Sequence, residues 1–213
     1  MDFHVTHQEK HSQGELLLRS FFGFIYILIP HGILLMILGI GSFFHTIISF
    51  LSCLFTGKFP RSSFDYLVKY NRYNMRVSLR MMNLLDGYPT FGLNGADDKF
   101  TMDFPYPEKV SQGKVLLRMF LGFFMIIPHV FILYFRMIGV MFINIAAWFS
   151  ILFSGKYPEG MFNFVVETLR WQTRVNAYFS LFTDTYPPFS GKVLPGENTN
   201  VKQDKANIAG IID

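Results

Sequence analysis

Ser20–Phe55 reads SFFGFIYILIPHGILLMILGIGSFFHTIISFLSCLF, 36 consecutive residues without an Asp, Glu, Lys or Arg. Met119–Phe153, MFLGFFMIIPHVFILYFRMIGVMFINIAAWFSILF, repeats the pattern with Arg136 as its one charged residue. Each run is longer than the roughly 20 residues that cross a bilayer. The whole chain has 213 residues, of which 51% are apolar and 16% charged. Soluble domains carry about 25% charged residues, so the composition predicts an integral membrane protein and argues against an ordinary soluble enzyme. One cysteine, Cys53, excludes an intrachain disulfide and a multi-cysteine metal site. The net charge of +4 reads as positive-inside loops or contact with anionic phospholipid. No aromatic-basic motif of a nucleic-acid reader is present, so no nucleic-acid partner is expected.

The chain is written twice. Ser12-Gln13-Gly14 recurs as Ser111-Gln112-Gly113, and Leu17-Leu18-Arg19 as Leu116-Leu117-Arg118. Pro30-His31 returns as Pro128-His129, and Gly57-Lys58-Phe59-Pro60 as Gly155-Lys156-Tyr157-Pro158. Arg72 and Arg76 return as Arg170 and Arg174, and Asp86-Gly87-Tyr88-Pro89 as Asp184-Thr185-Tyr186-Pro187. The spacing is 99 residues at the start and 98 from the prolines onward. The expected organisation is a polar N-terminus (1–11), a first membrane module (12–92), an Asp/Gly/Pro linker (93–110), a second module (111–191) and a polar tail (192–213).

The expected fold class is all-α. Each module would hold a transmembrane helical hairpin, or one long tilted helix with an interfacial segment, followed by an amphipathic interfacial helix. A run of 35 residues spans about 53 Å as one helix, well over the roughly 30 Å hydrocarbon core. A hairpin tip at Gly39-Ile40-Gly41 and at Met137-Ile138-Gly139 resolves that mismatch, since glycine permits a tight bend. It also places the N-terminus, the basic linker and the C-terminus together on the cytoplasmic side, in a multi-pass arrangement. Two long tilted helices are the alternative. After each turn, Asp65, Lys69, Arg72, Arg76 and Arg80 recur at helical spacing, as do Asn163, Glu167, Arg170 and Arg174. Such a stripe is either a solvated helix face or a site for anionic lipid or an acidic partner. Lys69, Arg72, Arg76, Arg80, Arg170 and Arg174 are therefore the candidate lipid- or partner-binding residues.

His31 and His129 occupy equivalent places in the apolar runs and are the candidate cofactor-binding residues. Paired intramembrane histidines can hold a haem or a chlorin; the plainer reading is a histidine that satisfies carbonyls freed by the adjacent proline. The Gly-Lys-aromatic-Pro turns lack the phosphate-loop arrangement and read as helix ends. No Ser/His/Asp set, zinc-helix motif or dinucleotide turn is present, so no catalytic residue and no metal site are expected. Both runs lack acidic groups, which argues against ion-coupled transport.

Phe149-Ser150-Ile151-Leu152-Phe153-Ser154-Gly155-Lys156-Tyr157-Pro158, Arg170-Trp171-Gln172-Thr173-Arg174-Val175-Asn176-Ala177-Tyr178 and Asp184-Thr185-Tyr186-Pro187-Pro188-Phe189 together resemble bacterial membrane proteins of domain-of-unknown-function family 4389. The first module departs from that pattern, with Tyr73 for the Trp and Thr90 for the second Pro. The resemblance implies a bacterial cytoplasmic-membrane location and no catalytic residues to carry over. The functional expectation is a non-catalytic subunit of a larger membrane complex, with other membrane subunits and anionic phospholipid as partners. A lipid- or quinone-handling protein, part of an envelope lipid-transport machine, is the alternative, and a haem- or pigment-binding subunit is a third.

Overall fold

The computed structural model describes residues 1–197; the rest of the polar tail expected from 192 onward lies outside them. The elements in chain order are β1 (Asp2–Val5), α1 (Gln13–Gly23), a π-helical turn (Phe24–Leu28), α2 (Ile29–Thr56), α3 (Arg61–Met81), β2 (Phe100–Asp103), α4 (Gln112–Ser154) and α5 (Glu159–Phe179). From Gln13 to Thr56 the chain is one 44-residue helical rod, and α4 is a second of 43 residues. Both are long and apolar enough to cross a membrane.

The hairpins expected at Gly39–Gly41 and Met137–Gly139 do not form, because these glycines serve close packing between helices. The Tyr66 hydroxyl donates to the Leu38 carbonyl at 2.8 Å, and a Cβ on Gly41 would overlap that hydroxyl. A Cβ on Gly139 would meet the Phe164 ring at 3.3 Å. A single glycine inside a helix costs only about 1 kcal/mol, which the contacts along the rod offset. Pro30 is absorbed by the π-helical turn before it, where the widened backbone accommodates the missing N–H. Pro128 sits inside α4 without ending it. Gly41→Ala should displace Tyr66 and lower stability by about 1–2 kcal/mol. An unchanged melting temperature by circular dichroism in detergent would disprove this packing role.

Each rod ends on glycine. Gly57 and Gly155 adopt φ +67° and +68° and donate to Cys53 and Ile151 carbonyls, the left-handed cap that glycine accommodates without a Cβ penalty. The two rods run antiparallel. His11 N–H donates to Gly155 O and Gln13 to Leu152 O, so the first rod starts where the second ends. Val110 N–H to Gly57 O and Gln112 to Leu54 O make the same junction at the other end.

α3 turns back and packs along the first rod, with Ser63 at His45 (2.9 Å), Tyr73 at His31 (2.6 Å) and Asn83 at Arg19 (3.1 Å). α5 does likewise on the second, with Thr168 at Arg136 (3.0 Å), Trp171 at His129 (3.1 Å) and Asp184 at Arg118 (2.8 Å). The all-α expectation needs one correction. β1 and β2 pair antiparallel, Phe3 opposite Met102 and Val5 opposite Phe100, with all four side chains buried in the main core. These strands have only four residues each, too few for alternation to stand out, and their partners lie about 98 residues apart.

Candidate functional site

His31 and His129 sit in two equivalent aromatic boxes, both fully buried. His31 stacks on Phe91 (centroids 4.0 Å apart) beneath Tyr88 and bonds Tyr73. His129 stacks on Phe189 (4.1 Å) beneath Tyr186 and bonds Trp171. Tyr88 and Tyr186 close the boxes by donating to the Tyr26 and Met125 carbonyls. The structure does not bring the two histidines to one ligand: each faces the short helix of its own half. An indole N–H only donates, so His129 Nδ1 accepts from Trp171 and its proton sits on Nε2. At His129 that tautomer offers no Nε2 lone pair to a haem iron; at His31 the Tyr73 hydroxyl can donate or accept and fixes no tautomer. Among the described residues no group of three His, Cys, Asp or Glu is placed to hold a metal.

The arginine stripe faces inward. Arg76 is fully buried, and Arg80, Arg170 and Arg174 are nearly so, which corrects the expectation of an outward stripe. Arg76 reaches the Gly92 carbonyl, and Arg80 pairs with Asp97 at 2.5 Å. Arg72 holds Met102 O on β2, while Arg170 holds Phe3 O on β1 and Gly191 O. Each helix thus clamps the strand that precedes the other half's rod. Arg174 grips the Ser190 and Lys192 carbonyls and pairs with Glu197 at 2.6 Å. Burial pulls the Arg76 and Arg170 pKa values below the ordinary guanidinium range. Lys69, half-buried, is the exception to this inward engagement among the six candidates.

A second pair of clasps was not singled out from the sequence. Arg19 is bonded to Asp86 (2.9 Å) and the Leu85 carbonyl, and Arg118 to Asp184 (2.8 Å) and the Thr183 carbonyl. The second carboxylate oxygen in each case accepts the N–H that opens the rod, from Ser12 and Ser111. The recurrence of Arg19/Arg118 and Asp86/Asp184 was the visible signal; their pairing depends on α3 and α5 folding back.

Between α3 and α5 lies a cavity of about 320 Å³. Asn74 and Ser78 face Gln172 and Asn176, residues 98 apart in the two halves, above Met75 and Met137. Its lining carries no ionisable side chain, so it offers no acid–base pair.

Residues 114–191 match the family described as Domain of unknown function (DUF4389). This segment is similar to that family. No curated protein and no solved structure matches the chain. The matched segment contains nearly all of α4, the whole of α5, the His129 box and the Arg118–Asp184 clasp, and it ends on Gly191, the carbonyl that Arg170 holds. The first half repeats these contacts outside the matched segment.

The largest surface feature is apolar. Phe21 and Phe55 on the first rod are both 74% exposed, and Phe120 and Phe153 on the second are 71% and 78% exposed. Between these ends Ile33, Ile37, Ile40, Phe43 and Phe44 continue the exposed surface of the first rod, and Phe131, Phe135 and Phe142 that of the second.

Proposed function

We propose that the protein is a membrane-embedded, non-catalytic subunit that scaffolds other membrane proteins, and that its halves are tandem copies of one module. The observation that carries this reading is the pair of rods whose exposed faces are phenylalanine-rich and carry exposed charge only in their first turns, at Glu15 and Lys114. Immersing dozens of such side chains in hydrocarbon contributes on the order of tens of kcal/mol, and monomeric soluble proteins rarely expose contiguous apolar surface on this scale. The buried histidine boxes and the arginines that reach carbonyls and carboxylates of the same chain support a structural role. The equivalence of clasps, boxes and caps at a 98–99 residue offset supports the duplication.

Two measurements test this. The protein should float with phosphatidylcholine vesicles and remain bound at about 1 M salt, where the screening length is only about 3 Å and headgroup attraction is lost. Release by salt would show that lysines, not the apolar faces, hold it. A mild-detergent pull-down at native expression should return membrane proteins in fixed stoichiometry; a solitary chain would end the subunit reading.

A further inference from the structure

We propose that the two rods lie in one leaflet, parallel to the membrane plane, and do not cross it; the lipid monolayer is the partner of their exposed faces. This rests on the membrane-embedded reading above and specifies its geometry. A crossing needs about 20 residues whose whole surroundings tolerate hydrocarbon. Neither rod has such a stretch. α3 and the turn after it follow the first rod from His45 back to Ser12, carrying Arg61 and Asp65, whose side chains are 65% and 44% exposed. β2, which Arg72 of α3 holds at Met102 O, adds Asp103, whose side chain is 64% exposed. Tyr157, α5 and the turn at Asp184 follow the second rod from Asn144 to Ser111, with the Glu167 side chain 32% exposed on α5. The remaining ends, beyond His45 and Asn144, are each about ten residues long and finish against exposed Lys58 and Lys156. A perpendicular rod would drag these charges into hydrocarbon, at a cost of about 2.5–3.5 kcal/mol each near the centre.

The lysines point the same way. Lys10 and Lys156 lie exposed at one junction of the rods, and Lys58, Lys109 and Lys114 at the other. Crossing rods would put one of these basic groups on the outer side, against the positive-inside rule. In-plane rods put all of them at the headgroups of a single anionic surface. The apolar faces then sink about 5–10 Å, as amphipathic interfacial helices do, while α3, α5 and the small sheet stay in water.

Lys10→Cys and Lys58→Cys mark the two ends of the first rod. Each is labelled with a membrane-impermeant maleimide in sealed right-side-out and inside-out vesicles, against the parent chain whose only thiol, Cys53, is buried. In-plane rods label both positions from the same side and neither from the other. Labelling from opposite sides overturns the proposal and leaves the membrane-embedded reading intact, whereas protein absent from the washed membrane fraction overturns both. As a second readout, Ile37→Trp at mid-rod should be quenched most by lipids brominated near the headgroup. Strongest quenching by bromines at the bilayer centre, relative to the parent chain, marks a crossing rod and overturns the proposal.

Discussion

Asn in place of Asp97 is expected to lower the stability of the folded chain by about 3–5 kcal/mol, the cost of breaking a buried ion pair from one side. The Arg80 and Asp97 side chains are 6% and 3% exposed, so the guanidinium left behind has no water to replace its partner. Arg76 lies one turn away with its Nε and Nη1 atoms buried and without a hydrogen-bond partner, and the Asp97 charge also favours its ionised form. One substitution therefore strands two cations beneath the loop from Tyr88 to Lys99. The companion variant Arg80→Met with Asp97→Leu removes both charges of the pair, and it should recover most of the loss because apolar replacement of a whole buried pair is often neutral. Thermal and denaturant unfolding in detergent read both. A loss below about 1 kcal/mol for Asp97→Asn would mean that the loop opens and hydrates the pair.

The same region explains how far the sequence could be read. The rods were legible because 36 uncharged residues leave little choice of environment. Their glycine ends were legible because Gly-Lys-aromatic-Pro is local chemistry. The stripe on α3 was legible as a stripe, since Asp65, Lys69, Arg72, Arg76 and Arg80 follow the helical period. Its direction was not. The Gly92 and Met102 carbonyls and the Asp97 carboxylate draw it inward, as the Phe3 carbonyl and the Glu197 carboxylate draw Arg170 and Arg174 on α5, and backbone carbonyls leave no mark in a residue pattern. Gly39 and Gly41 misled for a related reason: a helical glycine reads alike whether it permits a bend or admits a tyrosine. Only the partner helix separates the two. The strands failed differently, because Phe3 and Val5 gain their meaning from Met102 and Phe100 at the far end of the first half.

The clasp at Asp86 makes stability depend on pH, and the sign follows from its surroundings. Burial alone would raise the carboxyl pKa. Contacts from His11, whose Nδ1 lies 3.4 Å away, from the Ser12 N–H and from Arg19 outweigh burial and hold it at about 2. In the unfolded chain an aspartate titrates near 3.9. A depressed folded value means that the unfolded state binds the proton first as acid is added. The contribution, about 2–3 kcal/mol for a shift of this size, is thus complete above about pH 4 and disappears as pH falls towards 2. Asp86→Asn should remove this part of the acid sensitivity and also destabilise the chain at neutral pH by about 2–4 kcal/mol, since Arg19, with a side chain 4% exposed, keeps only carbonyl and amide partners and the distant Glu15 carboxylate. Unfolding free energies of parent and variant, measured from pH 6 down to about 2, should converge as acid is added. Parallel curves would assign the acid sensitivity to another carboxylate and leave Asp86 a hydrogen-bond acceptor for the start of the rod and nothing more.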